Sequence, residues 1–278
     1  MAQRDKIVPL DEVAELVPDG TLLAIGGVSL NCAPMSFCRE LVRAGRRELE
    51  LVGIVSGMST DWLIAAGCVH KLIMGLTSFE GFGLAPNFRR AAQAGTIEVE
   101  EYSEHTLICA LQAATAGVPF MPTRAGLGTD MPALHRDRTW EMVDERSGQR
   151  FLACAALQPD IAVIHVHEAD VAGNARMNPK LVWFDTELIK AAKRVIVTAE
   201  RIVDNTEFRA APERTSFPGY VVDHVVEAPR GAWPTACWPE YTYDAQFYME
   251  YQRAARDPEE FAAFFAEHVA PLPQPADR

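Results

Sequence analysis

The stretch Asp19-Gly20-Thr21-Leu22-Leu23-Ala24-Ile25-Gly26-Gly27-Val28 runs from a turn through four apolar residues into a glycine pair. So short an apolar run, cut off by glycine, reads as a strand buried on both faces. Pro34 follows after a short loop and suits the first turn of a helix, expected to reach about Ala44 before Gly45. The unit repeats outward. Residues 49–55 read as a strand ended by Ser56-Gly57, residues 60–66 as helix and residues 71–76 as strand. A loop over residues 77–86, carrying Gly81 and Gly83, leads to a helix from about Asn87 to Ala94. Residues 97–102 form a further strand, and Ser103 caps a helix with Leu107, Ile108, Leu111 and Ala114 on its apolar face. This rhythm predicts an α/β fold: a mainly parallel sheet with helices on both faces.

After Gly117 the pattern changes. Residues 118–131 read as a Pro/Gly-rich loop, and residues 139–143 and 151–155 as a hairpin pair around residues 146–148. Residues 161–167 and 195–203 are expected strands, separated by a loop at 173–179 and a helix near 186–192. The tail from Trp233 to Tyr251 is rich in aromatics, Asp257 caps a last helix ending near Val269, and Pro271, Pro273 and Pro275 mark a frayed terminus. We read residues 1–278 as one domain with 230–278 as a C-terminal extension.

The 278 residues are 49% apolar and 23% charged, a globular balance that excludes disordered, collagenous and disulfide-scaffold classes. Against 26 basic residues stand 38 acidic ones, a net charge of −12. Such a surface repels phosphate backbones and anionic lipids, so neither nucleic acid nor membrane is an expected partner. The six cysteines include no C-x-x-C pair and sit in apolar surroundings, which reads as reduced, buried thiols in a cytoplasmic protein.

In a parallel sheet, ligands gather beyond the carboxyl ends of the strands. Those ends carry Gly26-Gly27, Ser56-Gly57, Ser103-Glu104 and the loop from Arg124 to Asp130. No nucleophile elbow, P-loop, dinucleotide fingerprint or H-E-x-x-H motif is present. Gly26-Gly27 serves either as a cradle for an anionic or thioester group or simply as a tight strand-to-helix turn. Arg124 either clamps a carboxylate or pairs with Asp130. His165 and His167 share one strand face and lie near Asp170, but two histidines without an assured third ligand read as half-buried, satisfied side chains, and no metal is expected. Glu104 falls at the first turn of a helix on the ligand side. An acidic residue there complements the helix dipole; in a catalytic setting it serves as a base. Trp233, Trp238, Tyr241, Tyr243, Phe247 and Tyr248 form either a core layer or a partner-binding patch.

The opening stretch with Pro34 resembles the signature of the α subunits of class I coenzyme A transferases. So do Ala113-Ala114-Thr115-Ala116-Gly117-Val118-Pro119-Phe120, Gly126-Leu127-Gly128-Thr129, residues 157–165 and Ala169-Asp170-Val171-Ala172-Gly173-Asn174. Val28 and Cys32 depart from the usual phenylalanine and glycine. The transferases' catalytic glutamate lies in their β half, which this chain does not contain. Glu104, within Glu101-Tyr102-Ser103-Glu104-His105-Thr106, and the aromatic tail resemble most the α subunits of actinobacterial steroid ring-cleaving hydrolases, which act in cholesterol breakdown.

The resemblance implies a β-subunit partner, an α2β2 assembly and a cyclic enone substrate carried as a coenzyme A thioester. It implies Glu104 as the catalytic base. Gly26, Gly27, Asn31, Arg124, Gly126, Gly128 and Thr129 are the implied substrate and coenzyme A contacts. No cofactor is implied beyond the coenzyme A of the substrate. The alternative is the α subunit of an ordinary acyl-CoA:carboxylate transferase.

Overall fold

The computed structural model describes residues 5–270. The first half alternates strand and helix as expected: β1 (Leu22–Ile25), α1 (Met35–Arg43), β2 (Leu49–Ser56), α2 (Met58–Ala65), β3 (Val69–Thr77), α3 (Pro86–Ala94), β4 (Glu98–Glu101) and α4 (Glu104–Ala116). Then come β5 (Phe120–Thr123), a single turn α5 (Met131–Leu134), β6 (Thr139–Val143), β7 (Arg150–Ala155), β8 (Ile161–Ala169), β9 (Ala175–Arg176), α6 (Asp185–Ala191) and β10 (Arg194–Ile202). The chain closes with α7 (Asn205–Ala210), β11 (His224–Glu227), α8 (Ala245–Ala254) and α9 (Pro258–His268).

The main sheet has the order β11-β10-β8-β1-β2-β3-β4, parallel throughout, with β9 added antiparallel to β8. Side chains alternate across it. Leu23, Leu51, Leu72 and Met74 enter one core with Trp62, Phe37, Phe247, Tyr251 and Phe265. Ala24, Val52 and Ile73 enter another with Leu107, Leu111, Leu152 and Leu188. Period-two alternation between two apolar layers is the signature of a sheet covered on both faces.

Three elements depart from the sequence reading. The expected loop over residues 118–131 contains β5, the edge of a small antiparallel sheet β5-β7-β6. Pro122 is tolerated there because an edge strand leaves one side without ladder bonds. Strand β11 lies in residues 204–232, to which the sequence pattern assigns no element, and helix α8 in the aromatic-rich tail. Asp244 caps α8 by accepting from the Phe247 N–H at 2.9 Å. Phe247 and Tyr248 are buried while Trp238 and Tyr243 are exposed, so the tail aromatics divide between core and surface. The proline-rich stretch after residue 270 lies outside the described residues.

Helices α2, α3 and α8 are tied by a buried polar knot. Asp61, fully buried, accepts from the Asn87 N–H at 2.9 Å, the Phe88 N–H at 2.8 Å, the Asn87 amide at 2.7 Å and the Tyr251 hydroxyl at 2.8 Å. Helix α3 begins Ala85-Pro86 with no capping side chain of its own, and Asp61 supplies the missing acceptor from a neighbouring helix.

Candidate active site

The carboxyl ends of β1, β2, β3 and β4 form a crest. Ser103 caps α4 by accepting from the Thr106 N–H at 3.2 Å while the Thr106 hydroxyl accepts from the Ser103 N–H at 3.0 Å. This box sets Glu104 as the first helical residue, exposed, as the sequence placed it. Its neighbour across the crest is Gly75 of β3: a Cβ there would lie 3.3 Å from Glu104 Cα and Cγ and 2.8 Å from the Ile54 carbonyl. Glycine at 75 therefore lets the start of α4 settle onto the sheet edge. Among the described residues no cation or hydrogen-bond donor holds the Glu104 carboxylate.

Behind it lies a charged support. Glu100, 3% exposed, accepts from Lys71 Nζ and from the Tyr102 hydroxyl, both at 2.6 Å, with Arg138 Nε at 3.7 Å. Burial pushes the Glu100 carboxyl up. The Lys71 and Tyr102 hydrogen bonds and the Lys71 and Arg138 charges outweigh it, leaving the group below its ordinary 4.5. A carboxyl lowered in the folded state contributes stability that is present above 4.5 and lost as pH falls through the folded value. We expect Glu100→Gln to be less stable than the parent at neutral pH, the gap closing as pH drops below that point. Urea unfolding from about pH 6 to about pH 3 measures it.

The loop carrying Gly126 and Gly128 comes close to the same helix start. A Cβ at Gly126 would lie 3.9 Å from Thr106 Cγ2, and the Gly126 and Gly128 N–H groups have no acceptor among the described residues. Thr129 turns inward, donating its hydroxyl to the Gly126 carbonyl at 2.8 Å. Arg124 is exposed, and no ion pair joins it to Asp130 among the described residues, which removes the surface-pair reading. Of the four, Gly126 is the one whose position beside the start of α4 is shown by a contact, to Thr106.

Gly26, Gly27 and Asn31 have a different setting. The Gly26 N–H donates to the Val163 carbonyl at 2.8 Å and the Gly27 N–H to Asp185 Oδ1 at 3.1 Å, so neither amide is free for a ligand oxygen. Gly27 has φ +81, and a Cβ would strike backbone at 2.6 Å from both the Ala33 nitrogen and the Cys32 carbonyl. The pair makes the tight turn, and the amide-cradle expectation passes to Gly126 and Gly128. Asn31, half-buried, forms a parallel bridge with Ala236 of the tail. In the same turn Ser29 adopts φ +49, and its buried hydroxyl has no partner among the described residues.

Sequence reasoning missed Asp185, the buried carboxylate behind Gly27, because nothing local marks a residue 158 positions away. It also separated the histidines from their real partners. Asp170 is not among them; it accepts from Asn174 and Asn205 and shapes a turn. All six cysteines are free and buried, as expected. At the carboxyl ends of β8 and β10 a cavity of about 700 Å³ opens, lined by His167, Arg176, Arg201, Arg214 and Phe217 among others. No helix among the described residues is long and apolar enough to cross a membrane.

A doubly covered parallel sheet with an unpaired carboxylate on its carboxyl crest is an α/β scaffold of the kind that binds ligands at that crest. The chain belongs to the Coenzyme A transferase family, whose model matches residues 9–228. It is 31% identical to the A subunit of glutaconate CoA-transferase from Acidaminococcus fermentans over 282 residues, covering 94% of this chain and 87% of the relative. It is 32% identical to the cholesterol ring-cleaving hydrolase IpdA subunit of Rhodococcus jostii over 278 residues, covering 97% and 94%. An uncharacterized protein of Archaeoglobus fulgidus is 36% identical over 268 residues, covering 95% of this chain, which spans only 59% of that longer relative. The crystal structure of the A. fermentans glutaconate transferase superposes with TM-score 0.88 at 29% identity, covering 95% and 89%. A cysteine-to-serine variant of the decarboxylase AibA/AibB superposes with TM-score 0.82 at 32% identity, covering 95% and 98%.

Proposed function

We propose that this chain is the α subunit of a heteromeric hydrolase that opens a carbocyclic ring of a steroid-derived acyl-CoA, with Glu104 as its base. The relatives named as single subunits of larger enzymes support a β-subunit partner, for which this reading takes an α2β2 assembly, and likeness to a ring-cleaving hydrolase subunit supports the reaction. The observation that carries the reading is the Glu104 carboxylate, without a cation, set against Gly75 at the sheet's carboxyl crest.

In a ring conjugated to both a ketone and a thioester, the β carbon is electrophilic. Glu104 takes a proton from water as the oxygen bonds to that carbon, and the electron pair moves onto the carbonyl oxygen. The enolate takes that proton back from Glu104 at its α carbon to give the β-hydroxy ketone. Glu104 then removes the hydroxyl proton as the ring C–C bond breaks in a retro-aldol step, and returns it to the departing carbanion, which both carbonyls stabilise. The Gly126 and Gly128 amides are the donors this reading assigns to the enolate oxygen. Arg124 is assigned to an anionic group of the acyl-CoA.

The similarity to glutaconate CoA-transferase favours one rival, in which the partner supplies a nucleophilic glutamate and this chain only shapes the site. Coexpression with the adjacent gene and mass analysis of acyl-CoA products separates the two. Ring opening adds the mass of water with no acceptor carboxylate present. Transfer requires an acceptor and leaves an enzyme-bound thioester that borohydride traps. A complex that traps thioester and never hydrates the ring overturns the hydrolase reading.

The packing against Gly75 is testable separately. Gly75→Ala would push on both the Ile54 carbonyl and the Glu104 backbone. A shift of about 1 Å in the base is expected to lower kcat by about 10²-fold. Circular dichroism and the apparent KM should stay near those of the parent.

A further inference from the structure

Away from Glu104, four separate stretches of chain converge on one buried cluster. His165 of β8 is fully buried, with Nδ1 2.8 Å from the Thr198 Oγ1 on β10. The Thr198 hydroxyl donates to the Ile164 carbonyl at 3.2 Å. The single Thr198 proton goes either to the Ile164 carbonyl, with Nδ1–H donating to Thr198 and the Nε2 lone pair facing Glu200, or to Nδ1, with Nε2–H donating to Glu200. That nitrogen lies 2.8 Å from Glu200 Oε1. In the first arrangement a lone pair and a carboxylate oxygen face each other, which calls for a positive species between them, a proton or a metal ion.

The surroundings favour the metal. Cys237 of the tail joins the pair, and the ligand atoms of His165, Glu200 and Cys237 all lie within 4.8 Å of one another. Cys32, from the turn after β1, is fully buried, and its backbone N–H donates to the carbonyl of Ala236, the residue before Cys237, at 2.7 Å. Tetrahedral zinc spaces its ligand atoms about 3.3–3.8 Å apart, so small side-chain rotations suffice. An outer set of bonds already orients the donors. Thr198 fixes the imidazole, while the Tyr241 hydroxyl and the Arg230 N–H, the latter at 2.6 Å, hold the Glu200 carboxylate. One imidazole, one carboxylate and two thiols form a borderline-soft donor set that suits zinc over magnesium or calcium.

We infer that His165, Glu200, Cys237 and Cys32 bind one structural Zn²⁺ ion that fastens the C-terminal segment to the sheet. Both cysteines bind as thiolates and release their protons to solvent, and the imidazole binds neutral through Nε2. The ion closes the contact already made in the backbone, where Cys32 N–H donates to the Ala236 carbonyl and Ala236 N–H to the Leu30 carbonyl, each at 2.7 Å. It leaves no open position and plays no part in the Glu104 chemistry. This expectation departs from the sequence reading, in which the histidines had no third ligand.

The test uses the full chain purified without chelators from zinc-supplemented medium. Elemental analysis is expected to find one zinc per chain that survives gel filtration. The chain refilled with Co²⁺ is expected to show a near-ultraviolet thiolate-to-cobalt band and intense tetrahedral visible bands. Cys237→Ser and Cys32→Ser each lose the band or most of its intensity, and Glu104→Gln keeps zinc and spectrum alike. If a cysteine variant does not fold, the parent's stoichiometry and cobalt spectrum decide the matter alone. A folded parent that carries no zinc and develops no cobalt spectrum overturns the site and leaves a proton between His165 and Glu200. Zinc retained equally by both serine variants also overturns it.

Discussion

Glu104→Gln lowers ring opening by about 10²–10⁴-fold, the range a positioned general base contributes. Glutamine keeps the size of the side chain and its place at the first turn of α4. The Ser103–Thr106 capping box does not involve the 104 side chain, so the helix start persists. The only structural loss is the charge–dipole term, about 0.3–1 kcal/mol at an exposed first turn. Activity and stability therefore separate, which a merely structural carboxylate would not allow. The measurement is single-turnover mass analysis of acyl-CoA products beside a thermal melt and a sizing run of the coexpressed complex. Equal rates for variant and parent would remove Glu104 from the chemistry. Near-parental transfer with trapped thioester would instead place the chain with the transferases.

Asp61→Ala is expected to destabilise the fold by about 3–5 kcal/mol, because it strips the acceptor from several buried donors at once. The Asn87 and Phe88 N–H groups at the start of α3 and the Tyr251 hydroxyl of α8 all point at this one carboxylate. Asn87 and Tyr251 are buried, and Ala85 offers no substitute cap. Tyr251→Phe removes one donor to Asp61 and the acceptor of one Asn87 amide N–H at 2.9 Å, so about 1–3 kcal/mol is expected. Equilibrium urea unfolding of the two variants and the parent gives the comparison. A loss for Asp61→Ala no larger than that for Tyr251→Phe would show that the α3 N-terminus finds other partners.

How much of the site could be read in the sequence depended on the range of the contacts involved. Glu104 was legible because its placement is local: a strand end, a capping serine and a helix start within a few residues. The Gly126–Thr129 loop was legible as a loop, but the strand before it, β5, lies in the antiparallel sheet and not among the parallel strands. Gly26-Gly27 was legible as a turn but not in its detail, since the amides are taken by Val163 and Asp185 from distant segments. The histidine pair was visible, and its nearest acidic neighbour in sequence proved irrelevant. Asp170 folds back on its own loop, while Glu200 and Cys237 arrive from β10 and the tail.

Chain periodicity alone determined the doubly covered parallel sheet, because apolar runs of strand length between helix-period segments have few other ways to bury both faces. It also placed Gly26-Gly27, Ser56-Gly57 and Ser103-Glu104 at carboxyl ends of parallel strands, whereas residues 124–130 follow β5 of the antiparallel sheet. Tertiary structure alone decided what those residues meet. It turned half of the aromatic tail into core, made Asp61 the cap of a neighbouring helix, and gathered Cys32, His165, Glu200 and Cys237 into one buried cluster. Local propensity acts over a few residues of chain, whereas these contacts join segments tens to hundreds of residues apart and form only when the layers close.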